Sequence, residues 1–194
     1  MKNAKVRRKS NIFAEYSRTM EKTLASKIIY QGKIISVRLD DVLLDNGKQT
    51  RREVVEHPGA AAVLAVTDQG EAYFVRQYRQ AVGEELLEIP AGKLEPGEEP
   101  VACAIRELAE EAGVKSGKIS PLAVYFSSPG FASERLYLYL ATELEPTTVQ
   151  QPEDEILHVC LLPLRDAVKM ARQGKIGDGK TLLALLLAAD ILKL

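Results

Sequence analysis

Glu107, Glu110 and Glu111, with Arg106 beside them and Glu98 upstream, are the residues whose types and spacing could do chemistry. Placed on a helix over Pro100 to Ala112 at 100° per residue, Glu107 and Glu111 stand one turn apart with Glu110 next to them. Val101, Ile105, Leu108, Ala109 and Ala112 share the opposite, apolar face. Like charges at this spacing cost a helix about 0.2–0.5 kcal/mol per pair, and one arginine cannot neutralise three glutamates. A divalent cation can. Carboxylate donors suit a hard ion, Mg²⁺ or Mn²⁺, which shares its shell with water and substrate phosphates, and they disfavour zinc. The loop from Gly92 to Gly97 supplies backbone that can approach closely, and Glu98 near the helix start complements the helix dipole and is placed to hold Arg106. The segment therefore reads as a metal and diphosphate site, against the plainer reading of a solvated acidic helix face.

The elements that must position it are legible in outline. Leu24 to His57 is strand-like, with Asp45-Asn46-Gly47-Lys48 as a hairpin turn. A second sheet is expected to begin at Ala60 to Val66, turn at Asp68-Gln69-Gly70, return as Ala72 to Tyr78 and continue at Leu86 to Ile89. Pro90 and Gly92 break it. Beyond the acidic helix, strands are expected at Ile119 to Phe126, Leu136 to Thr142 and Ile156 to Leu162, then helices at Leu164 to Gln173 and Thr181 to Leu192. This order predicts an α/β (α+β) domain of layered helices and mixed sheet, with an N-terminal antiparallel β appendage. The last helix is apolar on nearly every side but shorter than the roughly 20 residues a bilayer requires, so it reads as a core or interface helix.

Composition narrows the function. Lys plus Arg number 26 and Asp plus Glu 27, so no global field favours nucleic acid or membrane as a partner. Cys103 and Cys160 read as reduced thiols of a cytoplasmic protein. Residues 1–23 read as a basic, disordered tail with no secretory signal, and Met20 is an alternative start. Gly174-Lys175-Ile176-Gly177-Asp178-Gly179-Lys180-Thr181 satisfies the G-x-x-x-x-G-K-T phosphate-loop pattern, but a helix precedes it and too little chain follows for a downstream sheet. The segment is expected to be a glycine-rich connection whose Asp178 caps the last helix.

Gly92, five residues, Glu98, seven residues and then Arg106-Glu107-Leu108-Ala109-Glu110-Glu111-Ala112-Gly113-Val114 match the signature of the Nudix hydrolases at every specified position. The resemblance implies the Nudix fold, a mixed β-sheet layered between helices, and hydrolysis of a nucleoside diphosphate linked to another moiety. The flanking segments VEHPGAAAVLAV, VRQYRQA, LLEIPAGKLEPGEEP and SSPGFASERLYLYLA resemble the bacterial ADP-ribose pyrophosphatases, as does Pro129, sixteen residues beyond Gly113. That likeness runs from about Ser26 to Lys193. It implies metal ligation by the Ala91 carbonyl, Glu107 and Glu111, with Glu110 adjacent and Arg106 in the catalytic set. Two or three Mg²⁺ per site are implied, with Mn²⁺ able to substitute, and the products from ADP-ribose are AMP and ribose 5-phosphate.

The same likeness calls for a carboxylate base from a loop before a late strand. Within Gln151-Pro152-Glu153-Asp154-Glu155, Glu153 is the first candidate and Glu155 the second. Arg79, with Arg76 near it, matches a phosphate contact. Arg51 or Arg52 would stack on adenine with Tyr30 opposite, and Ser133 and Glu134 would hold the terminal ribose. The branch forms homodimers in which N-terminal strands, here residues 24–57, reach the partner's site, leaving 58–194 as the hydrolase domain. The alternatives are another nucleoside diphosphate sugar or dinucleotide (GDP-mannose, NADH, diadenosine polyphosphate), a nucleotide-binding protein without chemistry, and an NTPase using Lys180.

Overall fold

The computed structural model describes residues 20–148 and 156–194. Residues 1–19 of the expected 1–23 tail and the candidate bases Glu153 and Glu155 lie outside the described residues, whereas Lys22 and Thr23 already belong to the first strand, which corrects the expected end of the tail. Three antiparallel strands come first: β1 (Lys22–Gln31), β2 (Ser36–Leu43) and β3 (Gln49–Glu56), in the order β1-β2-β3. The strand-like run before Asn46-Gly47 is thus two strands, split at Gly32-Lys33. Gly47 takes φ 78 at the β2–β3 turn, a conformation that favours glycine there.

Next come β4 (Ala60–Ala65), β5 (Glu71–Arg79), β6 (Glu84–Glu88), β7 (Ala91–Lys93), α1 (Pro100–Ala112), β8 (Val114–Phe126), β9 (Arg135–Pro146), β10 (Leu157–Pro163), α2 (Leu164–Arg172) and α3 (Gly179–Leu192). They form a four-stranded sheet β7-β4-β9-β8 and a three-stranded sheet β10-β5-β6. The expected pairing of Ala60–Val66 with Ala72–Tyr78 in one sheet is corrected here. Only an isolated bridge, Val66 to Ala72, joins them, and β4 instead pairs in parallel with β9 and antiparallel with β7.

Every residue of β4 is buried, as its unbroken apolar sequence demands of a strand covered on both faces. Ala62 and Leu64 face a core shared with Ala184, Leu185 and Ala188 of α3 and Val168 of α2. Ala61, Val63 and Ala65 face Cys103, Ala104, Leu108 and Ala112 of α1. Helices therefore cover both faces of the sheet, and α1 lies across β4 and β7, where it positions the site.

Pro100 occupies the first turn of α1, where its missing N–H costs nothing, and Gly113 ends the helix with φ 67 and its N–H on the Ala109 carbonyl. The expected division of faces needs correction. Cys103, Ala104, Glu107, Leu108, Glu111 and Ala112 are buried, whereas Val101 and Ile105 are exposed and Ala109 is half-buried. Leu108 with the small Cys103, Ala104 and Ala112, rather than the β-branched Val101 and Ile105, meets β4, because the small side chains allow the close approach that an alanine-rich strand offers. Among the described residues no helix is long and apolar enough to cross a membrane.

Candidate active site

The acidic helix meets the sheet at β7, and a cleft of about 440 Å³ opens beside that junction. Ala91, Gly92 and Lys93 of β7 line it, with Arg79, Tyr125, Glu134, Lys180 and His57. Directly behind the β7 backbone stand the two buried carboxylates. The Ala91 N–H donates to Glu111 Oε2 at 3.0 Å. A Cβ built on Gly92 would lie 1.7 Å from Glu107 Oε1, so only glycine leaves room for that carboxylate.

Arg106 ties the acidic cluster together. Its Nε and Nη2 bind the two oxygens of Glu98, both at 3.0 Å, and Nη1 binds Glu107 at 2.6 Å and Glu110 at 3.0 Å. The expected hold of Glu98 on Arg106 is therefore present. The bidentate pair with Arg106 holds the Glu98 carboxyl below the usual carboxylate range, and Glu98, followed by Glu107, raises the guanidinium further above its ordinary value. Cys103, packed beneath this cluster, has its thiol pushed up to about 12, first by burial and then by Glu98 and Glu107.

These donors fit a hard divalent cation. They are oxygens only, they carry more negative charge than Arg106 balances, and the Gly92 cradle keeps one of them against the backbone that would supply a carbonyl ligand. Among the described residues no three His, Cys, Asp or Glu side chains converge on one point. Two carboxylates and a carbonyl would leave the rest of an octahedral shell to waters and phosphates.

The other expected residues divide between those at the cleft and those away from it. Arg79 and Glu134 line the cleft. Ser133 stands behind it, where its hydroxyl accepts the His57 backbone N–H at 3.1 Å. Pro129 lies at the turn between β8 and β9, outside the cleft lining. Arg76 is ion-paired with Glu85 and points elsewhere. Arg51 pairs with Asp41 at 2.8 Å, Arg52 with Glu21 at 2.6 Å, and Tyr30 is exposed on β1, so none of the three reaches the cleft within one chain.

Four further residues gather here that the sequence reading does not assign to this site: it has Asp178 only as a helix cap, Lys180 only in the NTPase alternative, and Glu88 and His57 in no role. Glu88 is 1% exposed on β6 and binds Arg79 through both oxygens, at 2.6 and 2.7 Å. Lys180 binds Glu88 as well, and Asp178 at 3.0 Å. Asp178 caps α3, as expected, by accepting the Thr181 N–H at 3.0 Å. Burial alone would push the Glu88 carboxyl up, but Arg79 and Lys180 outweigh it and hold it below the usual range. His57, whose Nδ1 accepts the Gly59 N–H at 3.0 Å and lies 3.6 Å from Glu134, adds a fourth polar group. The available signal was that Glu88, Lys180 and His57 are polar residues flanking apolar runs or glycine turns.

Comparison with known proteins places the chain in a family. The NUDIX domain family matches residues 38–185. The chain is 44% identical over 85% of its length to an ADP-ribose pyrophosphatase of Bacillus subtilis, covering 90% of that protein. It is 40% identical over 84% of its length to a methanol dehydrogenase activator of Bacillus methanolicus, again covering 90% of that protein. The structure of an ADP compounds hydrolase shares the fold, with a TM-score of 0.81 at 22% identity, covering 92% of this chain and 97% of that one. A glutamate-rich helix laid behind a glycine strand, at the wall of a cleft and within such a sequence, marks this chain as a member of the NUDIX family, a hydrolase of pyrophosphate bonds.

Proposed function

We propose that the protein hydrolyses ADP-ribose to AMP and ribose 5-phosphate with Mg²⁺, with Mn²⁺ able to substitute. The observation that carries this reading is the pair of buried carboxylates, Glu107 and Glu111, held directly behind the Ala91–Gly92 backbone of the cleft. Glu107, Glu111 and the Ala91 carbonyl would hold the cations, with Glu110 adjacent. When bound, divalent cations there neutralise the diphosphate and lower the pKa of a coordinated water.

This chain's own residues do the rest. Arg106 keeps the acidic cluster ordered and Arg79 meets the diphosphate. Glu134, beside His57 in the cleft, is suited to the hydroxyls of the terminal ribose. Glu153, or Glu155, takes the proton of the attacking water.

We also infer a homodimer. β1 is an edge strand exposed at every residue, apolar Leu24, Ile28, Ile29 and Tyr30 included, and a long apolar edge strand is stable when a second subunit covers it. Arg51 or Arg52, with Tyr30 opposite, then serves the partner's adenine. The identity to ADP-ribose pyrophosphatase supports the substrate.

The test is a panel of ADP-ribose, ADP-glucose, GDP-mannose, NADH, diadenosine polyphosphates and ATP with Mg²⁺. Wild type is run beside Glu111→Gln, Glu153→Gln and Glu155→Gln. Preferred conversion of ADP-ribose to AMP is expected, lost in Glu111→Gln and strongly slowed in Glu153→Gln or Glu155→Gln. Preference for GDP-mannose or a dinucleotide overturns the substrate, and full turnover in both loop variants overturns the base.

A further inference from the structure

The phosphate-loop pattern at the start of α3 has no sheet to serve, yet Lys180 lines the active-site cleft. Its surroundings rule out a phosphate-binding role. The Lys180 side chain is 11% exposed, and its ammonium is bound to two carboxylates, Glu88 and Asp178, so its charge is already matched. Thr181, the next residue, accepts the Ile89 N–H at 2.8 Å and donates to Asp178 at 2.5 Å. Adjacent residues of one turn thus grip Glu88, the last residue of β6, and Ile89 just beyond it, each across 92 positions of sequence.

Glu88 is the centre of the arrangement. Its two oxygens occupy Nε and Nη2 of Arg79, which turns the Nη1 edge of the guanidinium away from Glu88. Arg79 itself is 41% exposed and lines the cleft. A half-exposed arginine samples many rotamers and must be ordered each time an anion binds, unless something fixes it beforehand. A buried carboxylate can do so only if its own charge is fully compensated, and a second cation beside it supplies that compensation.

We propose that Glu88 and Lys180 are positioning residues of the active site, holding Arg79 pre-oriented toward the substrate diphosphate, and that the Gly179-Lys180-Thr181 turn is the brace that fixes them. The same brace steadies Ile89, two residues before Ala91 in the β7 wall. The proposal rests on the reading of Arg79 as the diphosphate contact. It makes the sequence G-K-T a structural clasp, with lysine chosen because its flexible stem reaches a carboxylate on another element.

The experiment is a double-variant cycle on the full chain, read as the Kd of inorganic diphosphate with Mg²⁺ by calorimetry, beside KM and kcat for ADP-ribose. Arg79→Ala, Glu88→Gln and Lys180→Met are each made, and the last two are combined with Arg79→Ala. Glu88→Gln and Lys180→Met are expected to weaken diphosphate binding and raise KM about tenfold, with kcat changed far less, because the lost interaction acts in ground and transition states alike. Each combination is expected to bind no worse than Arg79→Ala alone, since all three residues act through one guanidinium.

Additive losses overturn the proposal, as does unchanged or tighter diphosphate binding in both single variants, even if their melting temperatures fall. Should Glu88→Gln fail to fold, the Lys180→Met cycle decides alone. A wild type that binds diphosphate with the same non-additivity but spares ADP-ribose removes the proposed substrate and leaves the brace standing. A wild type that does not bind diphosphate removes the brace.

Discussion

Arg106 and Arg79 each anchor a knot of charge at the cleft, and the two knots are built to opposite rules. Arg106 binds Glu98, Glu107 and Glu110, with Glu111 one turn beyond, so four carboxylates gather about one guanidinium in its knot. Arg79 and Lys180 serve Glu88 and Asp178, two cations against two anions. A divalent cation bound at the first knot, as the proposed function has it, would offset that gathering of carboxylates. The second needs nothing, which is why a carboxylate as buried as Glu88 persists there. Charge balance, more than the number of acids, is thus what distinguishes the wall we propose to hold an ion from the wall we propose to orient a side chain.

The sharpest way to break this comparison is Gly92→Ala. The added methyl would overlap the Glu107 carboxylate, at 1.7 Å from Oε1, and must drive it out of the unbalanced knot. Turnover of the preferred substrate should fall by about 10²-fold or more, as for any displacement of a reacting constellation by an ångström, while the far-UV circular dichroism stays that of wild type. Retained activity would mean that the position of Glu107 behind β7 is not used.

A second experiment sets the knots side by side. Arg106→Met removes the only guanidinium of the first knot, and Glu88→Gln removes the central anion of the second. Both should lower the melting temperature in EDTA. Breaking a buried pair costs about 3–5 kcal/mol, and the half-exposure of Arg79 places Glu88→Gln near the lower end, a fall of roughly 6–12 °C for a chain of this size. Mg²⁺ should restore much of the loss in Arg106→Met, because the cation replaces the missing charge, and little in Glu88→Gln. Equal recovery in both, measured by scanning calorimetry, would erase the distinction.

The two knots also differ in how far the sequence discloses them. Arg106 and its partners lie within thirteen residues, Glu98 to Glu110, so helical periodicity and a glycine loop were enough to place them. The bounds of α1 and the cap at Asp178 followed from equally local rules. Lys180 and Glu88 meet across 92 residues, through the packing of α3 against β6, and no periodic pattern records such a meeting. The same limit explains the sheet. A turn at Asp68–Gly70 suggested that β4 and β5 pair, but the long-range parallel register of β4 with β9 decides the membership of β4. The face of α1 was misjudged for a different reason. Hydrophobicity weights Val101 and Ile105 above Cys103 and Ala104, whereas close packing on an alanine strand selects the smaller side chains.

The smallest expected effect is on the acid limb of stability. Glu98 in one knot and Glu88 in the other are both held below the usual carboxylate range, Glu98 by its bond to Arg106 and Glu88 by Arg79 and Lys180 against the opposing pull of burial. A depressed folded value means that the unfolded chain takes up protons first. The contribution of each glutamate is therefore complete above the unfolded pKa of about 4.3 and is lost as pH falls through the lower folded value. Melting temperature in EDTA should be level with respect to these two groups from pH 7 to 5 and drop below about pH 4, where the unfolded carboxylates protonate. Glu88→Gln starts lower but should lose less over that acid interval, since one of the two groups no longer titrates. An acid limb in Glu88→Gln as steep as that of wild type would show that Glu88 is not held as the balanced knot requires, and the contrast between the two walls would then rest on Glu98 alone.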